Sequence, residues 1–128
     1  MAALHALWGL GSSFPSRDRV QLADAVAGVE AMPPASACFV VAGALAASAA
    51  LVAGAGGQDR LAFWARSAVA AALGLRGLAG VTGSTGLLVP WSPSANFQDR
   101  DRRRYGPFYL ALSAAVALSM TARANAED

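Results

Sequence analysis

A few residues in this chain have types that could do chemistry and settings that make them odd. His5 lies in "LHALWGLG", Arg76 in the middle of "VAAALGLRGLAGVTG", and Asp101 in "FQDRDRRRYGPFYLAL". A histidine and a carboxylate within reach of one another can exchange protons, so His5 and Asp101 are the candidate catalytic residues. An arginine in apolar surroundings holds an anionic group through charge-assisted hydrogen bonds. Arg76 is therefore a candidate ligand-binding residue, with Trp8 and Tyr105 as aromatic pocket walls. Each has a plainer use. Arg76 and Asp101 can form a structural ion pair between helices, His5 can be an interhelical hydrogen-bond donor, and Trp8, Trp64, Trp91 and Tyr105 fit an aromatic belt at a membrane surface. The single histidine has no partner at ligand spacing, so no metal site is expected. No cofactor is expected either. Glycines 74, 77, 80, 83 and 86 recur every third position, yet no Gly-Lys-Ser/Thr follows them, so they read as a helix-packing groove rather than a phosphate loop.

The elements that must position these residues follow from composition. Of 128 residues, 55% are hydrophobic and only 14% charged, against about 25% charged in soluble domains. Mean hydropathy is +0.42. Residues 31–58 and 105–122 carry no charge. A bilayer core of about 30 Å takes about 20 apolar residues in a helix. The expected fold is therefore all-α, an integral membrane four-helix bundle forming a single domain over 1–128. Its spans are expected at about 1–12, 34–55, 61–82 and 107–122. The first is half the length required, so it is expected to be N-terminally truncated, with its opening turns outside this sequence.

Between the first two spans, "SRDRVQLADAVAGVEAMPP" places Leu22, Val26 and Val29 on one helical face and Asp18, Gln21 and Asp24 on the other. That pattern predicts an amphipathic interfacial helix over about 16–30, capped by Ser16 and ended by Pro33 and Pro34. Residues 83–106 read as a polar loop. If Asn96 caps a short helix there, Phe97, Asp101 and Tyr105 fall at i, i+4 and i+8, with Phe97 and Tyr105 facing the bilayer interface and Asp101 inward. His5 and Arg76 then lie at similar depth near one membrane face, which also gathers Trp8, Glu30, Asp101 and Tyr105.

All ten basic residues are arginine, and the net charge is only +2. That is too little for a nucleic-acid partner, and the basic residues are not interleaved with aromatics. Loops 1 and 3 hold Arg17, Arg19, Arg100, Arg102, Arg103 and Arg104, which places them in the cytoplasm by the positive-inside bias and the protein in the cell membrane. The lipid bilayer is the expected partner. Ala/Gly helix faces favour close backbone approach, so a homo-oligomer is also expected. Cys38, the lone cysteine, excludes an internal disulfide.

The segments "LHALWGLG", "MPPASACFVVAGAL", "LRGLAGVTG" and above all "FQDRDRRRYGPFYLAL" resemble a family of small actinobacterial integral membrane proteins catalogued as a domain of unknown function. Phe97, Asp101, Tyr105 and Pro107 stand at that family's spacing. The resemblance implies a four-span helical bundle with extra residues before the His-aromatic motif, and it implies no activity. The leading expectation is thus a multi-pass membrane protein of structural or interaction type. The alternative is an intramembrane enzyme or binder that acts on a lipid-like or isoprenoid substrate through the His/Arg/Asp cluster.

Overall fold

The computed structural model describes residues 1–124, and among these every regular element is helical. In chain order they are α1 (Ala2–Gly9), α2 (Arg19–Ala27), α3 (Ala35–Ala53), α4 (Arg60–Thr82), a 3-10 turn (Thr85–Leu87), α5 (Ala95–Arg100), a π-turn (Asp101–Tyr105) and α6 (Gly106–Ala124). The expected all-α class holds. Two helical stretches, Ala35–Ala53 and the continuous Ala95–Ala122, are long and apolar enough to cross a membrane. The third candidate, α4, is 23 residues long but carries Arg60, Arg66 and Arg76, and α1 has only 8 residues.

Local chemistry sets the helix ends. The start of α2 differs from expectation. Asp18 rather than Ser16 is its cap, accepting from the Gln21 amide at 2.8 Å, while the Ser16 amide is used in a turn to the Ser13 carbonyl. Asp59 caps α4 in the same way through the Ala62 amide. A side-chain acceptor at this position satisfies one of the amides left over by the first turn. Helix α2 stops before the prolines, because Gly28 adopts a left-handed conformation with φ of 70°.

Residues 95–105 are not a loop. Ser94, not Asn96, caps α5 through the Phe97 amide at 3.1 Å, since Ser94 stands just before the helix while Asn96 is already its second residue. The chain then continues through the π-turn into α6 without a break. Pro107 supplies the physical reason for the widened turn. It has no amide hydrogen, and its ring crowds the carbonyl four residues back in a regular helix. A single π-turn just before it relieves that crowding.

Two close-packed helix pairs make the frame. Helix α1 lies on α3, with the Phe39 ring seated on Gly9, where an added Cβ would come within 2.9 Å of it. Helix α4 lies on α6 along the glycine groove: Gly74 meets Ser113, Gly77 meets Leu110 and Gly80 meets Gly106. An added Cβ on Gly80 would lie 2.8 Å from the Gly106 Cα. The groove ends there, as Gly83 forms the left-handed end of α4 with φ of 76°. Helix α2 bridges to both pairs. Its Leu22 is buried with Trp8 of α1 and Cys38 of α3, with Leu4, Val26 and Met32 packed around them.

The C-terminal end of α2 docks on the start of α5, and this corrects two expected orientations. Phe97 is buried, 3% exposed, because α5 turns that face onto Gly28. Asp24 accepts hydrogen bonds from Ser94 and Asn96 at the start of α5 rather than facing solvent. The Ser94 amide donates to the Gly28 carbonyl at 2.9 Å. A Cβ on Gly28 would lie 2.8 Å from the Ser94 nitrogen and 2.9 Å from the Phe97 Cβ. Gly28→Ala therefore combines a left-handed backbone with a backbone clash. It is expected to cost about 1–3 kcal/mol, read as a fall in the unfolding midpoint in detergent.

Candidate functional site

The chemistry begins at Asp101, which is 1% exposed. The π-turn that holds it also lies against α4, where Arg76 reaches across. Arg76 Nη1 donates to Asp101 Oδ2 at 3.1 Å and Nη2 to Oδ1 at 2.8 Å, a bidentate pair. The Thr85 hydroxyl donates to the same Oδ2. Gly80 makes room for the pair: an added Cβ would stand 3.1 Å from Asp101 Oδ1 and 3.2 Å from Arg76 Nη1. The guanidinium lies over the Tyr109 ring, 5.0 Å from its centroid, in cation–π contact. The Arg76 side chain keeps 26% of its surface open, whereas that of Asp101 keeps 1%.

The open side of Arg76 faces a cavity of about 260 Å³. Helix α1 contributes Leu4, His5 and Trp8, and α2 contributes Leu22, Ala25 and Val26. The opposite side is Arg76 with Tyr105 and Tyr109, and Ser16 lies on the connecting segment. Four of the five sequence-predicted residues, His5, Trp8, Arg76 and Tyr105, thus line one cavity and together form part of its wall. Asp101 is not on that wall; it sits behind Arg76. Glu30 is exposed and forms no ion pair among the described residues.

Each wall residue is held. The Trp8 indole donates to the Phe14 carbonyl at 2.7 Å, which folds the 10–16 segment over the cavity. The Tyr105 hydroxyl donates to the Ala25 carbonyl at 3.0 Å, joining the π-turn to α2. His5 lies 4.6 Å from the Trp8 ring, centroid to centroid, and its Nδ1 contacts the Met1 carbonyl at 3.1 Å. A carbonyl only accepts, so Nδ1 is the donor, and in the neutral form of the ring that tautomer leaves Nε2 as an acceptor.

The wall is apolar in bulk, with one cation, several hydroxyls and no carboxylate. Such a surface can bind the polar end of an amphipathic molecule. Asp101 does not line this surface, and its oxygens accept from Arg76 and Thr85. No group of three or more metal-ligating side chains is found among the described residues.

Sequence reasoning overlooked three residues. Tyr109 follows Tyr105 by one turn on the same face, a spacing that signals it. Thr85 gave no signal, since a lone threonine in "GSTGLL" is indistinguishable from a turn residue. Arg66 gave no signal of a partner either, yet it is 4% exposed and donates to the Leu51 and Gly57 carbonyls at 2.8 and 2.7 Å. It thereby caps the C-terminal end of α3, where a cation meets the negative end of the helix dipole.

No curated protein and no solved structure matches the chain significantly. A family match does exist, and it spans the cavity and the Arg76–Asp101 pair alike. Residues 1–116 match the family described as "Protein of unknown function (DUF3995)", and the chain belongs to that family.

Proposed function

We propose that this chain is a small multi-pass membrane protein that binds an amphipathic, lipid-like molecule in the cavity between α1, α2, α4 and α6. The observation that carries the proposal is the cavity itself, apolar in bulk and lined by His5, Trp8, Arg76, Tyr105 and Tyr109. Membrane placement is supported by how little of the apolar helices the chain covers. Only 6% of the apolar stretch of α3 and 11% of that of Ala95–Ala122 is buried, and Phe39, Val40, Leu75, Phe108 and Leu118 are all exposed. A core helix of a soluble protein is covered by its neighbours, whereas lipid covers this surface without cost. Loops 1 and 3 lie on the cytoplasmic side in this proposal, with Arg102, Arg103 and Arg104 exposed toward anionic headgroups.

Arg76 has five N–H groups and Asp101 engages two of its nitrogens, which leaves donors for a ligand. Asp101 is the positioning residue that aims them. A second reading rests on the same pair. If the bidentate contact serves only to join α4 to α6, the protein is a structural or self-associating subunit, and its cavity takes nothing.

Thermal unfolding in detergent with decanol, decanoate and a decyl-substituted benzoquinone separates the two. A ligand at about 100 times its dissociation constant adds about 2.7 kcal/mol, a shift of several degrees. At least one probe is expected to raise the wild-type midpoint by that much and to leave Ala25→Phe, which fills the cavity, unmoved. Equal shifts in both proteins, or none in the wild type, would support the structural reading instead.

A further inference from the structure

The chemistry of the wall narrows the ligand further, on the reading that the cavity binds one. Charge comes first. Arg76 is the only arginine, lysine, aspartate or glutamate side chain on the wall, and it is already matched by Asp101 at 2.8 and 3.1 Å. An anionic headgroup would have to sit beside a carboxylate that is 1% exposed, and two like charges in low dielectric repel strongly. A neutral oxygen acceptor gains the remaining Arg76 donors without that repulsion.

Hydrogen-bonding capacity comes second. No buried side-chain nitrogen or oxygen lacks a partner among the described residues. Among the described residues the hydroxyls of Ser16 and Tyr109 have no protein partner, and both residues line the cavity. His5 Nε2 adds an acceptor, its Nδ1 being committed to Met1. The wall thus offers donors on the Arg76 and Tyr109 side and an acceptor on the His5 side, which suits an acceptor oxygen at one edge of a head and a hydroxyl, as in a quinol, at the other.

Shape comes third. Four ring side chains, His5, Trp8, Tyr105 and Tyr109, line a cavity of about 260 Å³, a little below the range of about 300–1,000 Å³ for drug-sized ligands. Rings prefer to pack on flat partners, stacked or edge-on. The volume suits one ring system and not a two-chain glycerolipid.

We infer that the cavity takes a neutral, flat, oxygen-substituted ring of the quinone or quinol type, carrying a single apolar tail. Arg76 and Tyr109 donate to one ring oxygen, and His5 lies at the opposite edge. This is a binding assignment, with no electron transfer attached.

The test uses the full chain in detergent with Trp64→Phe and Trp91→Phe, so that Trp8 is the sole tryptophan. Its emission is titrated with decyl-benzoquinone. Saturable quenching at one quinone per chain is expected, weakened about fivefold or more by Tyr109→Phe or Ser16→Ala, each of which removes one hydroxyl hydrogen bond. Tyr109→Phe keeps the ring beneath Arg76, so a folding defect is not expected to imitate the result. Decanoate should compete at least tenfold more weakly. Quenching that rises linearly without saturation, while decanoate or decanol stabilises the protein, overturns the ring assignment and leaves the amphiphile site standing. If no probe binds saturably, both readings fall.

Discussion

Asp101→Ala is expected to lower stability by about 3–5 kcal/mol, the usual cost of breaking a buried pair by removing one partner. Arg76 would keep only its contact with the Tyr109 ring, and the Thr85 hydroxyl would lose its acceptor. Arg76→Leu should cost a similar amount, because it strands a carboxylate that is 1% exposed with Thr85 alone. The informative variant is the double one. With both charges gone, Arg76→Leu/Asp101→Leu should recover much of the loss, since well-packed apolar replacements of a buried pair are often close to neutral. Unfolding midpoints of the four proteins in detergent complete the cycle. If the two single losses simply add in the double variant, the side chains are not coupled and the pair does not hold α4 to the π-turn.

Gly80→Ala is the second large effect, expected to cost about 1–3 kcal/mol by overpacking. The new methyl would stand 2.8 Å from the Gly106 Cα, backbone against backbone, where no side-chain rotation offers relief. It would also crowd both ends of the ion pair. Gly86→Ala is the matched control. Its nearest neighbour is Pro93 Cδ at 3.7 Å, so its effect should stay within about 0.5 kcal/mol. The comparison is made in one detergent by thermal unfolding. Equal losses at the two sites would mean that glycine's backbone freedom matters there and close helix approach does not.

Some of this architecture is written locally in the chain. Within the uncharged run 31–58, Pro34 and Gly54 mark the two ends of the helix, so α3 can be read almost to the residue. The glycines at 74, 77 and 80 announce a groove because a period near three keeps them on one helix face. Arg76 and Asp101 stand out as opposite charges in apolar surroundings, and a desolvated arginine needs an anion. What stayed hidden depends on distant contacts. Whether Phe97 faces lipid or protein is decided by α2 docking on α5 through Gly28 and Asp24, some 70 residues away in sequence. The π-turn shifts the helical register by one residue, so a regular count carried from Phe97 to α6 goes astray. Arg66 shows the same limit: its acceptors are backbone carbonyls at the end of another helix, and any residue type supplies those.

The placement of His5, Trp8, Arg76 and Tyr105 around one cavity, with Asp101 behind, divides their labour. Asp101 and Thr85 fix the Arg76 guanidinium, Gly80 and Gly106 bring the helices close enough for them to do so, and the cavity side of Arg76 remains open. An ion pair that served only to join helices would not need an open side. That asymmetry, 26% against 1% side-chain exposure, is what the proposed binding reading rests on.

The most direct measurement is mass spectrometry of small molecules released on denaturing the full chain purified from membranes, wild type beside Ala25→Phe. The account predicts an amphipathic molecule near one per chain in the wild type and at least a fivefold loss in the variant. Equal recovery from both proteins, or no stoichiometric molecule from either, would contradict it.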